Sequence, residues 1–182
     1  MSHTRVVVLL GSLRSQSINR RIAETLRDQA PAGTVVEIVD GLGELPFYNE
    51  EIDVEGEVPA PVSRLRAQVG AADRVLAITP EYNGTMPAVL NNAIDWLSRP
   101  YGAGAIVGKP LGAIGVTPTP YGGKWAHEDA RRSAKIAGAN VVEAVDFSQS
   151  SLEVDVLTDE QVLSNLRTAL GALLDAEPAL VA

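Results

Sequence analysis

Six residues, Thr79-Pro80-Glu81-Tyr82-Asn83-Gly84, carry more chemical information than any other stretch of this chain. They follow an apolar run, residues 74–78, and precede a helix that opens at Pro87. A turn between a buried strand and a helix lies at the edge of a parallel sheet, where open α/β proteins hold their ligands. Gly84 lets a backbone approach closely, and Pro80 stiffens the loop while removing one donor. The other peptide N–H groups are expected to point outward. Such a turn suits a flat, polar ligand.

A second loop would hold the other end of that ligand. Gly11-Ser-Leu-Arg-Ser-Gln-Ser-Ile-Asn-Arg20 lies between an apolar strand and a helix that begins near Ser17. Its hydroxyls are Ser12, Ser15 and Ser17, and Arg14 offers a guanidinium fork matched to phosphate oxygens. The open N–H groups and positive dipole end of the helix face the same loop. The plainer reading is that Ser17 only caps the helix and Arg14 is solvated, since Ser is common at helix starts. An arginine inside a strand-to-helix loop of an acidic protein favours the phosphate.

Other nucleotide signatures fail. There is no G-x-x-x-x-G-K-[ST] loop. Residues 102–108 imitate a dinucleotide fingerprint but precede a strand instead of following one. A phosphoacceptor domain of the response-regulator type needs acidic residues after strand one, and Leu9-Leu10-Gly11 has none.

The elements that must position these loops alternate along the chain. Residues 6–10 form an apolar, β-branched run of the kind buried on both faces of a parallel sheet. A helix over residues 17–30 has Ile18, Ile22, Ala23 and Leu26 on one face. Residues 34–39 make a more exposed strand. Residues 40–61, rich in glycine and proline, make a loop. A short helix over 62–71, a strand over 74–79 and a helix over 87–97 follow. The last part has a strand over 110–116, a helix over 124–137, a strand over 140–145 and a helix over 159–175. This pattern predicts one domain, residues 1–182: an α/β, three-layer, flavodoxin-like fold. Its five-stranded parallel sheet would run in order 2-1-3-4-5 with helices on both faces. Three loops then converge at the carboxyl edge: 11–19, 80–86 and 117–123.

Composition sets the outer bounds. With 182 residues, the chain can bury roughly 70% of the surface its unfolded form exposes. The formal net charge is −8, from 15 basic and 23 acidic side chains, which argues against nucleic acid or an anionic membrane as partner. There is no cysteine, so disulfides and thiol catalysis are absent. No apolar stretch reaches the ~18 residues of a membrane span, and the N-terminus lacks a secretion-type signal. A cytoplasmic location is expected.

The paired loops resemble a known family. Gly11-Ser-Leu-Arg14, Ser17-Ile-Asn19, Pro80-Glu-Tyr-Asn-Gly84, Pro87 and Leu90-Asn-Asn-Ala-Ile-Asp-Trp96, with Ser98-Arg99-Pro100 following, are similar to the NADPH-dependent FMN reductases. That family includes quinone, chromate and azo-dye reductases, and the resemblance covers residues 6–144. It implies tight, non-covalent FMN. Ser12, Arg14, Ser17 and Asn19 would hold the phosphate, with the N–H of Ile18. Pro80, Glu81, Tyr82, Asn83 and Gly84 would line the isoalloxazine edge, with the amides of Tyr82, Asn83 and Gly84 as donors. Thr117, Tyr121, Gly122 and Gly123 would lie near the pyrimidine end, although prolines at 118 and 120 depart from the family's Ser/Gly-rich turn. The resemblance further implies a homodimer or homotetramer.

The chemistry expected from the resemblance is hydride transfer from NADPH or NADH to flavin N5. Reduction of a second small molecule (free flavin, quinone, chromate or azo compound) would follow in ping-pong order. No side chain is required as acid or base. Donors at Gly122-Gly123 would stabilise the reduced flavin. Tyr82 and Arg99 are candidates for shaping the open face. The alternatives are a non-enzymatic flavodoxin-type electron carrier and a flavin-binding sensor. Aromatic residues make up only 4% of the chain, which favours an open flavin face over the aromatic cover of a carrier.

Other residues have plainer readings. The Asn83-Gly84-Thr85 sequon is a turn, and His3 and His127 make no metal cluster. Trp96 packs the core or an interface, while Trp125 either flanks the ligand or packs a helix start. Glu128, Asp129, Arg131 and Arg132 form a solvated helix face. Glu50, Glu51, Asp53, Glu55 and Glu57 sit on a solvated loop.

Overall fold

The structure, a computed structural model, describes residues 3–152 and 154–179. Five parallel strands form one sheet in the order β2-β1-β3-β4-β5. They are β1 (Thr4–Leu10), β2 (Thr34–Ile38), β3 (Arg74–Ile78), β4 (Pro110–Thr117) and β5 (Asn140–Ser150). The helices are α1 (Ile18–Asp28), α2 (Ala60–Ala71), α3 (Ala88–Leu97), α4 (Lys124–Ile136) and α5 (Glu160–Asp175).

The apolar runs of β1 and β3 are buried on both faces, and every residue of β4 is buried. One side of the sheet packs on α2, α3 and α4 through Val7, Leu9, Leu65, Leu90, Trp96 and Ala130. The other packs on α1 and α5 through Val6, Val8, Ile22, Leu26, Leu166 and Leu170. Two glycines in β4 keep its neighbours close. A Cβ at Gly112 would sit 2.3 Å from Val145 Cγ1, and one at Gly115 would sit 2.1 Å from the Thr79 carbonyl oxygen.

β5 extends past the expected end at Val145 to Ser150. Its pairing with β4 jumps from Leu111↔Val141 to Ala113↔Asp146, so the strand is interrupted by an irregularity and then resumes. Beyond the jump, buried Val145 and Phe147 alternate with exposed Asp146 and Ser148, the pattern of an edge strand with one solvated face. Those polar residues disguise the continuation.

Residues 40–59 carry two short 3-10 turns, Leu42–Glu44 and Glu50–Ile52, and the following helix starts at Ala60. This segment is anchored more firmly than a solvated loop. Asp53 accepts two hydrogen bonds from Arg66, at 2.8 and 2.9 Å, and both side chains are mostly buried. Arg66 also donates to the Trp96 carbonyl and lies 5.4 Å from the Trp96 ring centroid. The Asn92 side chain accepts from Tyr48 N–H and donates to the Pro46 carbonyl, which also accepts from Trp96 Nε1. Asn92 and Trp96 therefore secure the loop to α3.

Candidate functional site

The three loops meet at the carboxyl edge, and specific contacts tie them together. Gly11 packs on Thr79 so closely that a Cβ would lie 2.1 Å from Thr79 Oγ1. Gly11 N–H donates to the Ile78 carbonyl, and Thr79 N–H donates to the Ile114 carbonyl. The Asn19 side chain spans from α1 to β4, donating to the Val116 carbonyl and accepting from Val116 N–H, both at 2.9 Å.

The first loop presents a set of donors without protein partners among the described residues. Ser17 is the N-cap of α1, yet its side chain makes no capping bond and the first turn holds no acidic residue. Among the described residues, the amides of Ile18, Asn19 and Arg20 have no protein acceptor, and Arg14 is exposed without an ion pair. Ser12 and Ser17 are buried beside them. A dianion with several oxygens satisfies these donors, so the residues present fit a phosphate. The Asn19 side chain does not join them. Both ends of its amide are committed to Val116, which makes it a strut under the cradle.

The second loop is a two-residue hairpin turn. Tyr82 and Thr85 exchange N–H···O bonds at 3.0 and 3.1 Å. Asn83 and Gly84 have φ of 53° and 74°, the left-handed pair of a type I′ turn. The expected Tyr82 donor is therefore spent inside the turn, because its N–H meets Thr85. Among the described residues, the Asn83 and Gly84 amides have no protein acceptor.

The Glu81 side chain turns toward α4. One carboxylate oxygen accepts from Trp125 N–H at 3.0 Å and from Ala126 N–H at 3.2 Å. Those are first-turn donors of α4, whose N-cap, Gly123, has no side chain to supply a cap. Glu81 caps α4 from another loop and neutralises its positive end. Of the donors expected at Gly122-Gly123, the Gly122 N–H is taken by the Thr119 carbonyl, while the Gly123 N–H has no protein acceptor among the described residues.

In the third loop Thr117 is buried, with its hydroxyl paired to that of Thr119 at 2.9 Å. Gly122 and Gly123 have φ of 63° and 90° and pack against β5 and Thr117. Side chains are thus excluded at both. Tyr121 is exposed and stacks on Trp125, with ring centroids 4.5 Å apart.

His127 underlies the junction and was missed as a structural residue. It is fully buried, with Nε2 3.2 Å from the Thr79 carbonyl and Nδ1 2.7 Å from Ser148 Oγ. A carbonyl only accepts, so Nε2 carries the proton and Nδ1 accepts from the hydroxyl. Burial pushes its pKa down to about 4, with Arg131 adding to the fall and the Thr79 bond opposing it. The ring is neutral at pH 7. No sequence signal marks it, because its partners lie 48 and 21 residues away.

Arg99 is not part of this cluster. It follows the C-terminus of α3, whose N-terminus adjoins the second loop, so the helix of about 15 Å separates them. There Arg99 sits 5.5 Å from the Tyr48 ring centroid and lines a cavity of about 400 Å³ with Asp95, Ser98, Tyr101, Ile136 and Gly138. That cavity opens at the amino edge, near the starts of β4 and β5. Burial raises the Asp95 pKa, and Arg99 opposes the rise. Among the described residues, no group of acidic, histidine or cysteine side chains has metal-binding geometry.

A 2-1-3-4-5 parallel sheet with an open α1 N-terminus and an arginine in the loop before it defines a flavodoxin-like domain built to hold a phosphorylated ligand. The chain belongs to the NADPH-dependent FMN reductase family, whose model matches residues 4–152. It is an oxidoreductase of that family, whose cofactor is FMN and whose electron donor is NAD(P)H. A quinone reductase of Pseudomonas putida is 44% identical over 128 residues, 70% of this chain and 68% of that protein. An NAD(P)H-dependent FMN reductase of Pseudomonas aeruginosa is 40% identical over 129 residues, 71% and 68% of the two chains. The structure of FerB, a flavoenzyme NAD(P)H:(acceptor) oxidoreductase from Paracoccus denitrificans, superposes with a TM-score of 0.84. It is 30% identical and covers 94% of this chain and 96% of its own. A Pseudomonas aeruginosa flavodoxin shares the fold alone, at a TM-score of 0.62 and 19% identity over 94% of this chain and 99% of its own.

Proposed function

We propose that this protein is an FMN-dependent NAD(P)H oxidoreductase that reduces a small acceptor of the quinone class in ping-pong order. The observation that carries the reading is the cluster of unpaired donors at the carboxyl edge. Ile18, Asn19 and Arg20 amides, with Arg14, face one side, and the Asn83 and Gly84 amides lie on the neighbouring loop. When bound, FMN supplies the two-electron chemistry; the chain supplies binding and orientation. Arg14, Ser12, Ser17 and the start of α1 would hold its phosphate by charge-assisted hydrogen bonds. The type I′ turn would present the Asn83 and Gly84 N–H groups to the polar edge of the ring. Glu81 and Asn19 keep these two loops in register with α4 and β4. No side chain need move a proton at this edge, and neutral His127 lies beneath it as a strut.

The protein is further proposed to be a cytoplasmic homo-oligomer. Exposed Phe47, Tyr101 and Ile136 are apolar side chains that an interface would cover. Sedimentation velocity at micromolar concentration checks this; a monomer refutes it.

The function is tested on purified protein. Bound or readily bindable FMN, bleached by NADPH or NADH without oxygen and recoloured by a quinone, is the expected result. Protein that takes up no FMN refutes the reading. FMN that neither nucleotide bleaches identifies a carrier or sensor instead.

A further inference from the structure

From the exposed aromatic pair at the start of α4, we infer that Tyr121 and Trp125 form a stacking seat for the planar conjugated ring that exchanges electrons at this site. The inference rests on the flavoenzyme reading and adds residues that the phosphate cradle and the turn do not explain. The chain has only two tryptophans. Trp96 is fully buried, whereas Trp125 is 44% exposed and Tyr121 60% exposed. Their rings lie 4.5 Å apart and are tilted by 39°, so they brace each other while keeping apolar face open to solvent.

The pair also sits where the loops meet. Trp125 Cε3 is 3.9 Å from the Cβ position of Gly84, so the indole lies against the Asn83-Gly84 turn. Tyr121 precedes the double glycine of the third loop, and the ring pair therefore bridges the second and third loops. The Trp125 backbone is fixed by its amide N–H and that of Ala126, which donate to the same Glu81 oxygen, and its ring is braced by Tyr121. A rigid aromatic surface loses little conformational freedom when a second ring stacks on it. A planar ring fits this surface; a compact inorganic oxyanion gains nothing from it. Quinone and nicotinamide share the required chemistry.

The test uses Trp125→Leu and Tyr121→Leu in FMN-loaded protein, with 2-methyl-1,4-naphthoquinone and ferricyanide compared as acceptors. Aromatic stacking of this kind corresponds to a factor of about three to ten. The ratio of kcat/KM for the quinone to that for ferricyanide is expected to fall by about that factor in each variant. Rapid-mixing reduction by NADPH is measured alongside. A weaker apparent Kd for NADPH as well assigns the seat to both rings in turn, and a change confined to the quinone assigns it to the acceptor. An unchanged ratio in both variants overturns the seat. A separate readout needs no turnover: naphthoquinone titrated into flavin-free protein should quench tryptophan emission saturably, and Trp125→Leu should remove the saturable part. Absence of saturable quenching in the unsubstituted protein also overturns the seat. Failure to bind FMN or to be reduced by NADPH counts instead against the flavoenzyme reading, which this titration does not depend on.

Discussion

Arg14 and Glu81 are both charged residues in ligand-facing loops, yet the structure separates their roles. Arg14 has no protein partner among the described residues, so a phosphate would be its first. Charge-assisted hydrogen bonds are worth about 1.5–3 kcal/mol. Arg14→Ala should therefore weaken FMN binding roughly tenfold to a hundredfold while leaving the melting temperature of the flavin-free protein unchanged. Fluorescence titration with FMN and a thermal scan check both halves. Glu81 already has two partners, the first-turn amides of α4. Glu81→Ala should cost about 1–2 kcal/mol of stability in urea denaturation, and Glu81→Gln less, because the amide oxygen still accepts. A loss no larger than that of an exposed surface substitution would remove the capping role. The open donors of the first loop were legible in sequence because Ser12, Arg14 and Ser17 lie within one local segment. Glu81 and Asn19 were not. Their partners lie 44 and 97 residues away, and only the folded sheet brings them together.

At the level of elements, strand and helix order followed from periodicity, since apolar runs of five residues bounded by turn residues have few other solutions. The boundaries followed less well where tertiary contacts override local pattern. β5 outruns its apolar stretch because an edge strand buries only one face. The acidic segment 50–57 read as solvated because a carboxylate in sequence does not reveal its partner. Asp53 proves to be the anchor that fixes this segment to α2 and α3 through Arg66. Removing one partner of a mostly buried pair leaves the other charge uncompensated. Asp53→Ala should cost about 2–3 kcal/mol and make the segment around residues 40–59 the first site of limited proteolysis. Replacing Glu55 or Glu57, both exposed, should do neither. Equal sensitivity in all three variants would remove the anchoring role.

For the molecule as a whole, His127 decides how the carboxyl edge responds to acid. It sits on α4, donates to the end of β3 and accepts from β5, so one neutral imidazole joins three elements under all the ligand loops. Gly115 and Gly123 leave it no spare room: a Cβ at either would come within about 3 Å of the ring. Its pKa falls from an ordinary 6.5 to about 4, first because burial disfavours the cation. A lowered histidine pKa means that the unfolded chain binds the proton before the native one does. Above pH 6.5 both states are neutral and nothing is lost. Between pH 6.5 and about 4 stability falls steadily, and below that the loss levels off at about 3 kcal/mol. His127→Gln, which does not titrate, should show no such increment. Urea denaturation at pH 7 and pH 5.5 isolates the effect, since most carboxylates are still ionised at the higher acid point. The native protein should lose about 1 kcal/mol over that interval and the variant much less. Native Nδ1 should stay unprotonated to well below pH 6, as a histidine NMR titration would report. A ring that titrates near 6.5 in the folded protein would mean that solvent reaches the junction and that the three loops are not held by a dry strut.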